Sequence, residues 1–430
     1  MAKAFLPGPV GIIRSSATSG RKHRQQEFRL ANHAEDQISP GKGHSTGQRA
    51  TYLPAIDGIR FFAIFHIFLF HLWSVWDGRP EGMDGLMASF DQAPGPLLAF
   101  LSNGWMSTSL FFLLSGFILA YLYWGADGSL SMPRRRFWAL RCARIFPIHL
   151  IVILIVILLL FPWYLSQGRP LSLLIPSALA QIALVQAWVP PWVPIWSWPT
   201  WTISALLFLY LIMPWLMTTM NGWSRRRMIW ALIAMPFVSM LPALGYAAYM
   251  ATGRSPSMNL DIFIANFPLF WVPYFVAGML MTRVFVLSRH ISASSSPTLL
   301  AWGDLAFLVV VGLALVPDIG QPLKFFVRQG LTMPLFVVIL LDLARGRGIV
   351  ARLFSLPGMR FLGETGYSIF IWQIVVLIAA NISYAVNPAI GPYQIWVSIL
   401  LMMALAIPST YVIEKPLTRA IRKKWIDRRI

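Results

Sequence analysis

Cysteine is almost absent: Cys142 is the only one in 430 residues, so no disulfide forms within the chain. Negative charge is scarce, with 16 acidic residues against 35 lysines and arginines. Charged residues make up 12% of the chain, well below the roughly one quarter of a soluble protein. There is no clustered metal-ligand spacing, no phosphate-binding glycine loop and no G-x-S-x-G elbow. These absences argue against a metal cofactor, a P-loop nucleotidase and a soluble serine hydrolase. The short alternating segments of a membrane β-barrel are missing too, and so is any internal repeat of the kind that builds inverted-repeat transporters.

What the chain has instead is hydrophobic length. Hydrophobic residues make up 57% of it, in recurring runs of about 20, the length an α-helix needs to cross a bilayer. The expected fold class is therefore all-α, a polytopic transmembrane helical bundle. Eleven apolar stretches can be counted, including 171–189 and 299–316. Eleven crossings would put the arginines 225–227 outside. The stretch 171–189 is short and precedes the Pro- and Trp-rich "VPPWVPIWSWP", so it reads as a partly embedded helix in an outer loop. About ten membrane-spanning helices remain, with cytoplasmic N- and C-termini. The net charge of +19 then falls in short loops at 134–144, 225–227, 345–352 and 422–429, the cytoplasmic side of a multi-pass inner-membrane protein. This distribution speaks against nucleic acid as a partner and for membrane lipid. Residues 1–50 lack a signal's apolar stretch and read as a disordered basic cytoplasmic tail. The membrane domain is expected over 51–419, and a basic C-terminal tail over 420–430.

The first apolar run, "YLPAIDGIRFFAIFHIFLFHLW" at 52–73, carries ionisable groups that lipid disfavours. A helix turns about 100° and rises about 1.5 Å per residue. Arg60 and His71, eleven apart, therefore share one face at a separation of roughly 16 Å. His66 points elsewhere, about 140° away, and reads as structural. Asp57 lies one turn before Arg60, placed to pair with it or to cap the helix.

"DGIR" followed by ten residues and a histidine resembles the opening signature of the membrane acyltransferase-3 family. Further motifs are similar in order. They are "SLFFLLSGFILAY" at 109–121, "RRRFWALRCARIFPIHL" at 134–150, "PTWTISALLFLYLIMP" at 199–214, "FLGETGYSIFIWQIVV" at 361–376 and "YVIEKPLTR" at 411–419. Three positions depart from the family pattern. Leu206 stands where glutamate is usual, Gln373 where histidine is usual, and His149 where tyrosine is usual. The first two either are dispensable for the chemistry or mark a variant or lost activity.

The resemblance implies transfer of an acyl group, most often acetyl, from acyl-CoA to a hydroxyl of a glycan or lipid-linked saccharide. It implies a catalytic set of His71, Arg60 and Asp57, with Arg141 and Arg144 receiving the anionic acetyl-CoA donor. Guanidinium groups suit phosphate, and histidine is the usual general base near neutral pH. The alternative, a transient acyl-histidine, stays open. Trp201, Ser204 and Glu414 are candidates for acceptor contacts, each with a structural alternative. For Trp201 that is the lipid interface, for Ser204 helix packing, and for Glu414 an ion pair with Lys415. Ser115 and Gly116 read as helix packing, and Glu364 as a helix-start carboxylate. The competing functions are a flippase of lipid-linked glycans and an acyltransferase-like scaffold without catalysis. Homo-oligomerisation is left open.

Overall fold

The computed structural model describes residues 53–79, 81–125, 128–288 and 301–426. The tail expected over 1–50 lies outside them, as do residues 427–430 of the C-terminal tail. Helix is the regular secondary structure of the described residues, with one isolated bridge between Trp124 and Leu130 as their only β pairing.

Nine of the described helices are long and apolar enough to cross a membrane. They are α1 (Pro54–Asp77), α2 (Met106–Tyr123), α3 (Arg134–Ser166), α4 (Trp198–Met220), α5 (Arg225–Ala251), α6 (Pro268–Val286), α7 (Leu323–Arg345), α8 (Gly366–Val386) and α9 (Pro388–Lys424). Leu158, Leu400 and Phe237, on α3, α9 and α5, are 75%, 70% and 65% exposed. Their exposure marks an outer surface suited to lipid rather than water.

Of the ten expected crossings, one falls short of spanning length among the described residues. The stretch 299–316 forms only the 13-residue helix Trp302–Ala314, about 20 Å long. It nevertheless runs between the two ends of the bundle. At one end the buried Asp304 carboxylate accepts the backbone N–H groups of Ala301, Ile349 and Val350. At the other, the Asn103 amide donates to the carbonyls of Ala314 and Val316. The stretch 171–189 yields the 12-residue helix Leu171–Ile182, too short to span.

Glycine sets how closely two central helices approach. A Cβ on Gly116 of α2 would lie 2.0 Å from the Phe275 carbonyl oxygen. One on Gly278 of α6 would lie 2.0 Å from that of Leu113. The two backbones thus touch, as small residues allow in membrane bundles. Thr282 Oγ1 also donates across the crossing to the Phe117 carbonyl at 2.9 Å. Ser115, by contrast, bonds back to Phe111 in its own helix. Gly58 has the same tight fit against the Phe354 backbone, and Gly363 against Asp57. These contacts fix the start of α1 to the segment preceding α8.

Replacing Gly116 by Leu forces apart two backbones in contact, a destabilisation on the order of 3 kcal/mol or more. Gly312 has open space around its Cβ position, so Gly312→Leu serves as the control. Detergent-purified Gly116→Leu should show a lowered thermal midpoint or lose its monodisperse peak in size exclusion. Equal behaviour of the two variants would refute the close crossing.

Candidate functional site

The polar groups of the bundle gather at two levels. The first is the end where α1 and α3 begin and α9 finishes. Arg60 pairs with Asp57 at 3.1 Å, one helical turn apart. The first helical residue is Pro54, and the cap residue Leu53 makes no side-chain cap. Asp57 is therefore an ion-pair partner inside the first turn, not the cap. Because α3 starts as early as Arg134, Arg141 and Arg144 are both helical and lie on neighbouring positions of one face. Arg141 donates to the Tyr123 hydroxyl at 2.7 Å and lies 5.1 Å and 6.0 Å from the ring centroids of Tyr123 and Tyr210. Arg60, Arg141 and Arg144 all act electrostatically on Tyr210. Three guanidiniums from two helices thus act on one phenol, with Arg141 over its ring.

Glu414 balances part of this charge. It is buried, pairs with Arg144 and accepts from Ser368 Oγ at 2.7 Å. Ser368 in turn accepts from Thr410 at 2.8 Å. The expected pairing of Glu414 with Lys415 is not found, because Lys415 reaches Glu364 instead. Glu364 closes the short helix Pro357–Glu364 rather than starting one. Its partners are Lys415 and the Tyr411 hydroxyl.

The second level lies further along α1. His71 is buried, and its Nδ1 lies 2.9 Å from Oε1 of Gln373 on α8. The Gln373 amide nitrogen donates to the Phe370 carbonyl at 2.8 Å. That bond turns the amide oxygen toward the histidine and assigns the ring proton to Nδ1. Nε2 is then the nitrogen with the free lone pair, and it has no hydrogen-bond partner among the described residues. His66 differs in kind. Both its nitrogens are engaged, at 2.8 Å from Ser107 Oγ and 2.8 Å from the Phe100 carbonyl. His149 donates to the Gln181 carbonyl at 3.0 Å, tying α3 to the helix Leu171–Ile182.

Trp201 is not at a lipid interface. It is buried against Phe112 and Trp271, with ring centroids 6.0 Å and 5.6 Å away. Ser204 is buried one turn further on, and its hydroxyl finds no partner. Leu206, at the position of the usual glutamate, is buried in the apolar core. Arg328 was missed in the sequence because it sits at the edge of an apolar run, where a cation reads as a loop charge. A usable signal was present: no acidic residue lies within one turn of it in "LKFFVRQGLTM". It lies over the indoles of Trp201 and Trp271 and acts electrostatically on His71. No group of three or more His, Cys, Asp or Glu able to hold a metal ion occurs among the described residues.

Comparison with known proteins places these residues in a wider set. A family model described as an acyltransferase domain matches residues 53–415. The chain is 31% identical over 256 residues to acyltransferase MdmB of Streptomyces mycarofaciens, covering 55% of this chain and 58% of that protein. It is 23% identical over 408 residues to O-acetyltransferase OatA of Staphylococcus aureus, covering 87% and 58%. The chain thus spans a little under three fifths of the length of these relatives. No solved structure matches it.

Removing the Glu414 carboxylate leaves Arg144 without its ion partner and Ser368 without its acceptor. Arg144 is about one-third exposed, so the loss falls below the full value of a buried pair, at about 2 kcal/mol. Thermal unfolding of purified Glu414→Ala should show a lowered midpoint, with Glu414→Gln intermediate. An unchanged midpoint in both would show the pair to be incidental.

Proposed function

The chain belongs to this acyltransferase family, and from that premise we propose that it is an integral-membrane O-acyltransferase. It moves an acyl group, acetyl in the first instance, from acyl-CoA to a hydroxyl of an exported or surface glycan or its lipid-linked precursor. The observation that carries the reading is the state of His71: Nδ1 is committed to Gln373, and Nε2 is left unpartnered eleven residues along α1 from Arg60. The end of the bundle that carries the basic loops faces the cytoplasm, as charge bias favours, and the membrane is the inner one. Both chain ends then lie on the cytoplasmic side.

The donor approaches from that side. Its phosphates are matched by Arg60, Arg141 and Arg144, whose planar forks suit phosphate oxygens. The thioester reaches inward toward His71. Nε2 takes the proton of the acceptor hydroxyl as that oxygen attacks the thioester carbonyl carbon. The carbon–sulfur bond then breaks, the ester forms, and the proton passes from the imidazolium to the leaving thiolate. The atoms balance with no further reactant.

Gln373 has a defined part in this scheme. As a neutral amide it cannot serve as a second base. It orients the imidazole and fixes the tautomer, which a histidine at this position could also do through a ring nitrogen. The departure from the family pattern at 373 therefore preserves the contact to His71, which favours a working enzyme over an inactive scaffold. The same set of residues gives a flippase no use for a tautomer-fixed histidine.

Membranes containing equal amounts of each variant, supplied with labelled acetyl-CoA, test the scheme through label on glycan. His71→Gln should lower transfer about 10²- to 10⁴-fold, the usual contribution of a positioned base. Near-normal turnover would end the base assignment. Gln373→Leu should lower it roughly 10- to 100-fold, as loss of an orienting partner does elsewhere, while Gln373→His retains more. Arg60→Lys, which keeps charge but loses the fork, should raise the KM for acetyl-CoA; an unchanged KM would reduce Arg60 to charge balance.

A further inference from the structure

Among the described residues, Arg328 is a charge acting on His71 for which the chemistry above has no use. Arginine stays protonated in proteins, and such a charge in a membrane-spanning helix normally faces a partner or a wet cavity. Among the described residues Arg328 has no carboxylate partner, and its Nε, although buried, meets no acceptor. What holds it is aromatic and backbone. The guanidinium lies 5.5 Å from the Trp201 ring centroid and 5.3 Å from that of Trp271, a cation–π arrangement. Its carbonyl accepts from Ser109 Oγ at 2.6 Å. The α-helix is interrupted just there: Val327–Leu331 winds as a π-helix, with Gln329 and Gly330 outside helical geometry. Such breaks are frequent at functional sites.

The charge is therefore built in and positioned, with a buried Nε that has no acceptor among the described residues. Trp201 and Trp271 are buried, whereas Arg328 keeps a partly exposed edge. Arg328 also acts electrostatically on His71. Asp261 accepts from the Tyr246 hydroxyl at 2.7 Å rather than from Arg328. The donor's phosphates already have three arginines at the opposite end of the Arg60-to-His71 face, about 16 Å away.

We propose that Arg328 anchors an anionic group, a carboxylate or phosphate, carried by the acceptor saccharide, so that one hydroxyl of that sugar is presented to His71. Calling the ligand an acceptor rests on the acyltransferase reading; the anion subsite itself does not. The chemistry is shared by a uronic acid and by the phosphate of a lipid-linked sugar. Glucuronate and glucose 1-phosphate separate the two sources.

The test uses the full-length chain in phosphatidylcholine nanodiscs, with excess coenzyme A present to occupy the donor arginines. Binding of glucuronate, glucose 1-phosphate and glucose is measured by calorimetry. At least one anionic sugar should bind tenfold or more tightly than glucose. Arg328→Gln should erase that preference, while Arg328→Lys, which keeps the charge and is checked for an unchanged thermal midpoint, should retain part of it. Equal binding of glucose and both anionic sugars by the unmodified chain would overturn the proposal. So would undiminished preference in Arg328→Gln, or loss of acyl transfer in that variant with sugar binding intact, which would assign the charge to the reaction itself. A chain that binds anionic sugar through Arg328 yet transfers no acyl group would keep the subsite and remove the acyltransferase reading.

Discussion

The hydrogen bond from His71 Nδ1 to the Gln373 amide oxygen is the constraint on which the rest of the site depends. A histidine held by neither nitrogen would sample both tautomers and two ring orientations. One held by both, as His66 is by Ser107 and Phe100, has nothing left to offer a substrate. His71 sits between these cases. Its geometry is inherited from the packing of α1 and α8, and close backbone contacts at Gly58 and Gly363 hold the start of α1 to the segment that leads into α8. A side chain at either glycine would displace that segment and disturb a bond that has little slack.

Charge is distributed around that bond with a direction. At one end stand three arginines, of which Asp57 pairs with Arg60 and the buried Glu414 with Arg144. Elsewhere Arg328 stands without a carboxylate among the described residues, held by two indoles. A purely structural bundle would gain nothing from the latter, because an uncompensated cation in the membrane is unfavourable. A cationic zone at one end and a second cation acting on a histidine with one free nitrogen suit the proposed transfer from an anionic donor to an anionic acceptor.

Much of this was legible in the sequence, for physical reasons. Apolar run length reports directly on spanning helices, so α1 to α9 all fall on expected stretches. The eleven-residue spacing placed Arg60 and His71 on one face and set His66 aside before any coordinates. What was not legible depends on contacts between segments distant in the chain. Gln373 read as a loss because its value lies in a partner 302 positions away. Glu414 was matched to its neighbour Lys415, whereas tertiary packing gave it to Arg144. The lipid interface was the structural alternative for Trp201, and burial against Trp271 removes it. The helix Trp302–Ala314 is shorter than its apolar run suggested, and it still joins both ends of the bundle through Asp304 and Asn103.

The central claim is directional: donor from the basic-loop side, acceptor beyond His71. Inverted and right-side-out membrane vesicles from cells expressing the chain separate the two sides, since acetyl-CoA does not cross the bilayer. The account predicts that labelled acetyl-CoA added outside acylates glycan in inverted vesicles and not in sealed right-side-out ones, and that His71→Gln abolishes the signal. Equal labelling in both orientations, or labelling only in right-side-out vesicles, would contradict it.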